Sequence, residues 1–177
     1  MVKVLMFPAL MVFSCLLAAF YGALHNQISY SVAPGYFHEF KFLQFAVAPE
    51  LQNRVGAALV GVRASWWMGI VIGIPVYLAA LFVQGTSAFI KAYVLAASVV
   101  VAVTFVMGVG ALMIAEMTFA PDILPVWMEG RQVKDPVAFA KAGSMHNNSY
   151  LGGLVGLLVG LVVLVWRGWQ SRRRTML

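Results

Sequence analysis

Charged residues are scarce in this 177-residue chain. Asp, Glu, Lys and Arg make up 10% of it, whereas hydrophobic residues make up 62%, and the mean hydropathy is +0.89. Soluble domains carry about 25% charged residues, and even a fold of ~150 residues buries only about 70% of the surface that its unfolded chain exposes. The composition therefore excludes a soluble enzyme, a nucleic-acid-binding domain and a disordered protein. It predicts an all-α integral membrane protein.

Cysteine occurs once, as Cys15, so the chain has no internal disulfide and no cysteine metal cluster. The sequence also lacks the short motifs of phosphate-binding loops, zinc proteases, dithiol oxidoreductases and serine hydrolases. We predict no catalytic residue, and the sequence favours a non-catalytic role.

Charges are nearly missing from four long apolar runs. A bilayer core of about 30 Å needs roughly 20 helical residues, and only helices or closed barrels satisfy the backbone in lipid. We predict a single domain of four transmembrane helices in an up-down bundle, at about residues 4–24, 51–83, 92–116 and 136–166. The second and fourth helices extend beyond the outer face, where loops 25–50 and 117–135 connect the helices.

Acidic residues are absent from the segments predicted on one side of the membrane, residues 1–3, 84–91 and 167–177, which hold six of the twelve basic residues. The remaining six basic residues balance the six acidic ones, so the net charge of +6 lies on one face. Basic residues favour the cytoplasmic side. We predict an inner-membrane protein with both termini in the cytoplasm and its long loops periplasmic or extracellular. The run Arg172-Arg173-Arg174 is interpreted as a topology signal, with binding to anionic lipid as the alternative.

Residues 34–45 combine five aromatic side chains with His38, Glu39 and Lys41, and they follow neither a helical nor a strand period. Aromatic residues favour the membrane–water interface. One interpretation is an anchor lying on the outer surface. The other is a lid or docking surface over the bundle.

Four ionisable residues are predicted at one level near the outer boundary, counting 1.5 Å per residue along each helix. They are His25, Arg63, Glu116 and His146. Because charges at this depth are costly and usually pair, we predict an ion pair between Arg63 and Glu116. On a helical wheel, His146 lies on the face that carries glycines, so we predict that its side chain faces the bundle.

The candidate polar site comprises His146, Asn147, Asn148, Tyr150, Arg63 and Glu116. It is interpreted either as a functional site or as a structural hydrogen-bonding knot. His25, His38 and His146 are candidate ligands for a metal, although their spacing matches no ligand pattern. Haem ligation would need two histidines that face each other across helices, and only His146 is placed deeply enough. Close helix packing is predicted at Gly69, Gly73, Gly152, Gly153, Gly156 and Gly160.

Three functional hypotheses remain open. The first is an accessory or assembly subunit that binds other membrane subunits, or a second copy, through its glycine-lined faces and aromatic outer loop. The second is a membrane redox, metal-binding or haem-binding protein centred on His146. The third is a small transporter or channel that works as an oligomer. The lipid bilayer is a partner under all three, and nucleic acid under none.

Overall fold

The computed structural model describes residues 2–173 of the chain, and the prediction of an all-helical protein is confirmed for them. The longer helices are α1 (Phe7–Val32), α2 (Arg54–Ser65), α3 (Met68–Ala80), α4 (Thr86–Thr118) and α5 (Pro136–Arg173). Shorter helical segments are Val2–Leu5, Pro34–Tyr36, Phe37–Lys41, Phe42–Gln44, Pro49–Leu51 and Val126–Met128. Among the described residues, β pairing is limited to one bridge between Ala120 and Ile123.

Three helices, α1, α4 and α5, are long and apolar enough to cross a membrane. Helices α2 and α3 pass the same test only as a pair, which is bent by 43°. The break lies at Trp66 and Trp67. It does not lie at Pro75, which is inside α3, although sharp kinks usually occur at proline. Ser65, the last residue of α2, bonds through its Oγ to the Gly61 carbonyl at 2.6 Å, a type of bond that often bends helices.

Helix α1 ends at Val32 rather than near residue 24, so much of the predicted first outer loop is helical. His25, Asn26 and Ser29 repeat at helical spacing and are all buried. Because each of these polar side chains finds a partner inside the bundle, the helix continues through a segment that is polar in sequence.

The two ends of the bundle differ in chemistry. At one end, Lys3 Nζ donates to the carbonyls of Leu81 and Val83, at 3.1 and 2.6 Å, and the Gln84 amide donates to Ser171 Oγ at 3.0 Å. We call this the basic end, because it carries Lys3, Lys91, Arg167 and Arg172. Arg174 of the predicted basic cluster lies outside the described residues. The opposite end carries His25, His38 and His146 and is called the histidine end.

Each end has its own core. The cluster at the basic end includes Leu10, Met11, Val76, Tyr77, Phe89, Tyr93 and Leu164. The cluster at the histidine end includes Tyr36, Phe37, Phe42, Val60, Met128 and Phe139. Aromatic residues of the predicted outer loops therefore form much of the second core.

The glycines predicted to pack helices face other helices of the same chain. Gly69 and Gly73 lie against Cys15 and Ser14 of α1. The remaining four contact neighbouring helices of the bundle: Gly152 at Thr104, Gly153 at Ile72, Gly156 at Val100 and Gly160 at Ala96. These small-residue faces are therefore occupied within the chain.

Candidate functional site

Two buried histidines meet between α1 and α5. The rings of His25 and His146 have centroids 4.5 Å apart and are nearly perpendicular, at 78°. His25 is 4% exposed and His146 is 9% exposed, so His146 faces the bundle as the helical wheel predicts. The sequence interpretation missed this pair because it placed His25 at the start of a loop.

A chain of hydrogen bonds runs from Tyr21 through His25 to α2. The Tyr21 hydroxyl donates to Ser149 Oγ at 3.0 Å, and Ser149 Oγ lies 3.0 Å from His25 Nε2. His25 Nδ1 lies 3.3 Å from Asn26 Oδ1. Asn26 Nδ2 donates to the Ala57 carbonyl at 2.9 Å, so its Oδ1 can only accept and His25 Nδ1 carries a proton. The chain joins α1, α2 and α5.

His146 is held from two sides. Its Nε2 lies 3.2 Å from Ser29 Oγ of α1. Its ring stacks on Tyr36, with centroids 5.0 Å apart and planes at 26°. This side chain therefore connects α5 both to α1 and to the aromatic segment that follows α1.

The aromatic segment, residues 34–45, packs over the histidine end. Tyr36, Phe37 and Phe42 are 5%, 0% and 1% exposed. The central turn, Phe37–Lys41, is π-helical, a form that often occurs at functional sites. Of the two interpretations drawn from the sequence, this geometry corresponds to a segment that covers the bundle.

Lys41 is a buried cation on this π-helical turn. Its side chain is 9% exposed, and its Nζ donates to Gln44 Oε1 at 3.1 Å. The ammonium group also lies 4.5 Å from the centre of the Phe40 ring, a cation–π distance. Burial lowers the pKa of Lys41, because the charged form loses its hydration. Burial raises the pKa of the neighbouring Tyr36 hydroxyl.

Cavities extend from the histidine end into the bundle. We call the outer one the vestibule; it measures about 230 Å³ and is lined by residues that include Tyr36, Lys41, Trp127, Arg131, His146 and Tyr150. We call the two inner ones the cleft. Its upper part, about 110 Å³, is lined by His25, Asn26, Lys41, His146 and Tyr150 among others, and its lower part measures about 40 Å³.

The three cavities form a series in which each adjoins the next. The vestibule and the upper cleft share Lys41, His146 and Tyr150 as lining residues. The two parts of the cleft share Ala18, Met68, Ile72, Val100 and Val101. The lining is therefore polar and cationic at the histidine end and becomes apolar towards the middle of the bundle.

The predicted ion pair between Arg63 and Glu116 is wrong. Glu116 Oε2 instead pairs with Lys141 Nζ at 2.6 Å, and Arg63 donates to the Phe45 carbonyl at 3.2 Å. Helix α2 packs against α1, whereas α4 packs against α5. The carboxylate therefore meets the lysine of α5.

The other predicted site residues surround the histidine pair only in part. Asn147 lines the vestibule, whereas Asn148 bonds to the Ser144 carbonyl of its own helix at 3.0 Å. Tyr150 is 55% exposed and lines both the vestibule and the cleft. His38 is exposed and lies 3.3 Å from the Tyr30 hydroxyl. In residues 2–173, no three His, Cys, Asp or Glu side chains are grouped to hold one metal ion.

Sequence reasoning missed Tyr21, Ser29, Tyr36 and Lys41 as members of the site. The available signal was the helical spacing of His25, Asn26 and Ser29. Comparison with protein-family models, curated proteins and solved structures found no match for this chain. The functional argument therefore depends on the geometry of the site.

Proposed function

We propose that this chain is a membrane-embedded binding protein for a single-chain amphiphile, whose polar head occupies the vestibule and whose apolar chain enters the cleft. The main support is the series of adjoining cavities, whose lining changes from polar to apolar. It runs from Lys41 and His146 at one end to Val100 and Val101 at the other. Ligand pockets are typically apolar with a few well-placed polar groups. A molecule with one polar and one apolar end matches this gradient.

The size of the cleft favours one alkyl chain. Its two parts measure about 110 and 40 Å³, and an apolar cavity of about 150 Å³ holds a molecule the size of benzene. Part of one chain fits, whereas a haem does not. The direct contact of the His25 and His146 rings also leaves no place for iron between them.

The packed core between the cleft and the basic end favours binding over transport by a single copy. The basic end has its own cavity of about 700 Å³, which shares no lining residue with the cleft. Between the cleft and that end, the bundle is packed with buried side chains such as Met11, Tyr77 and Phe89. A ligand that enters from the histidine end therefore meets packed residues before it reaches the other side.

The proposed topology has four spans, with the α2–α3 pair counted as one bent span. Both ends of the chain then lie on the same side of an inner membrane. The positive-inside rule assigns the basic end to the cytoplasm. Under this assignment the vestibule opens towards the periplasm or the cell exterior.

A cleft-filling variant tests the proposal. Val101 lines both parts of the cleft, so Val101→Phe should occupy the path of the alkyl chain. We expect purified chain in detergent to bind radiolabelled hexadecanol or hexadecanoate at one molecule per chain. V101F should weaken that binding at least about tenfold, a loss of ~1.4 kcal/mol.

Val106→Phe is the matched control, because Val106 lies on the same helix and is 68% exposed. V106F should bind like the wild type. Thermal unfolding of both variants checks that the fold is retained. The proposal would be overturned if the wild type bound neither probe, or if a folded V101F bound them as tightly as the wild type does.

A second proposal keeps the accessory-subunit role. Among the side chains of residues 2–172, every buried nitrogen and oxygen has a hydrogen-bond partner, so the histidine cluster is also suited to a purely structural connection of α1 to α5. Under this proposal, purification in mild detergent should recover a second membrane protein at fixed stoichiometry, both with the wild type and with V101F. Recovery of the chain alone would contradict it.

A further inference from the structure

The vestibule is lined by cations of two kinds. Lys41 and Arg131 both contribute to its wall, and its lining includes no aspartate or glutamate. Electrostatic interactions are stronger where apolar surroundings lower the effective dielectric constant. Much of the remaining wall is formed by the aromatic rings of Tyr36, Trp127 and Phe139.

Lys41 lacks a counter-ion within the described part of the chain. Its ammonium group has three N–H donors, and its side-chain partner is the neutral amide of Gln44. Among the side chains of residues 2–172, the Lys141–Glu116 pair is the one ion pair. Lysine is rarely buried to this extent unless it is paired, because an isolated buried charge is costly.

Arg131 faces the same space from the loop between α4 and α5. Its guanidinium carbon lies 5.9 Å from the centre of the Phe40 ring and 6.0 Å from that of Trp127. Its Nε donates to the Trp127 carbonyl at 3.2 Å. An aromatic wall thus holds a guanidinium group, which is suited to carboxylate or phosphate.

Two acidic residues of the histidine end, Glu39 and Glu116, are engaged elsewhere. Glu39 Oε2 accepts a hydrogen bond from the Lys134 amide at 3.0 Å. Glu116 is paired with Lys141. Neither carboxylate lines the vestibule, so the positive charge there is not neutralised by these groups.

We propose that the amphiphile carries an anionic head group, and that Lys41 and Arg131 bind this head group in the vestibule. The inference rests on the proposed binding function and adds the chemical class of the ligand. The head supplies the counter-ion that Lys41 lacks, while the alkyl chain follows the cleft beyond His146 and Tyr150.

Fluorescence of Trp127 reports directly on the vestibule, since its indole lines that cavity. A single-tryptophan chain, with Trp66, Trp67, Trp166 and Trp169 replaced by Phe, isolates the signal. The quenching probes are hexadecanoate and hexadecanol, each brominated next to the polar head. We expect the carboxylate to bind more tightly than the alcohol.

Lys41→Gln should reduce the affinity for the brominated carboxylate about 10- to 100-fold, as expected for loss of a charged hydrogen bond. The affinity for the alcohol should change less than about threefold. R131Q should have a smaller effect, because Arg131 is exposed. Lys134→Gln removes an exposed charge near the same end and should bind like the parent.

The outcomes separate this inference from the proposed function. If the alcohol binds as tightly as the carboxylate and K41Q changes neither, the anionic head is overturned while amphiphile binding stands. If neither probe quenches Trp127, both proposals fall. If inorganic phosphate displaces the carboxylate as effectively as unlabelled hexadecanoate does, the site belongs to a free anion, and the amphiphile is overturned.

Discussion

Ser149 and Ser29 offer a comparison of two hydroxyl groups within one buried cluster. Ser149 Oγ lies 3.0 Å from both the Tyr21 hydroxyl and His25 Nε2. Ser29 Oγ contacts one side chain, His146, at 3.2 Å. Ser149→Ala therefore leaves two polar groups without their partner, whereas Ser29→Ala leaves one.

The expected losses in the free energy of unfolding follow from the burial of the polar groups that lose their hydrogen-bond partner. A buried polar group without its partner costs about 1–3 kcal/mol. S29A should therefore lower the free energy of unfolding by about 1–3 kcal/mol. S149A should cost more, about 2–4 kcal/mol, because His25 is fully enclosed while Tyr21 is half-buried and partly reached by solvent.

Reversible unfolding in mixed micelles, followed by far-ultraviolet circular dichroism, measures both changes. Ser87→Ala is the control, since Ser87 is exposed at the basic end, and it should stay within about 0.5 kcal/mol of the wild type. A cost for S149A that is no larger than the cost for S29A would refute the hydrogen-bond chain from Tyr21 to α2.

Three other changes test packing and charge. Gly61→Ala should destabilise the chain by several kcal/mol in thermal unfolding, because a methyl group there meets the backbone of Gly22. Gly110 faces open space, so Gly110→Ala should be neutral or stabilising by about 1 kcal/mol. Equal effects would contradict this close approach. Lys41→Met should stabilise the unliganded chain by about 1–3 kcal/mol. Because the pKa of Lys41 is lowered in the folded chain, the unfolded chain binds more protons between that lowered pKa and the ordinary value of 10.5. The free energy of unfolding of the wild type should therefore rise with pH across this window. K41M should lack that rise. Glu116→Gln should cost less than about 1 kcal/mol, since its carboxylate is half exposed, and a larger loss would show that the Lys141 pair matters more than its exposure implies.

Much of the helical framework could be predicted from the sequence. Apolar runs of about 20 residues lead to helices, because lipid offers no partner for a free backbone amide. The start of α5 could also be predicted: Asp135 Oδ1 accepts the Ala138 amide at 2.9 Å, and Pro136 occupies the first helical position. Both features depend on local residues alone.

The candidate site depended on information that a sequence pattern does not contain. Counting residues predicts a depth for Arg63 and Glu116 along their helices but not their direction around the bundle, and the predicted pair was wrong. The burial of Lys41 could not be predicted because the π-helical turn Phe37–Lys41 does not follow the 3.6-residue period. The extension of α1 beyond residue 24 could not be predicted because the partners of its polar residues lie on α2 and α5, far away in the sequence.

The boundary between the vestibule and the cleft consists of the side chains of Lys41, His146 and Tyr150. Side chains change rotamer within picoseconds to nanoseconds when exposed, whereas collective helix movements take microseconds or longer. Under the proposed binding function, a ligand crossing this boundary meets the half-exposed Tyr150 ring and two buried side chains, Lys41 and His146. Exchange of the occupant would then be slower than the rotamer changes of exposed residues, because two buried side chains have to move.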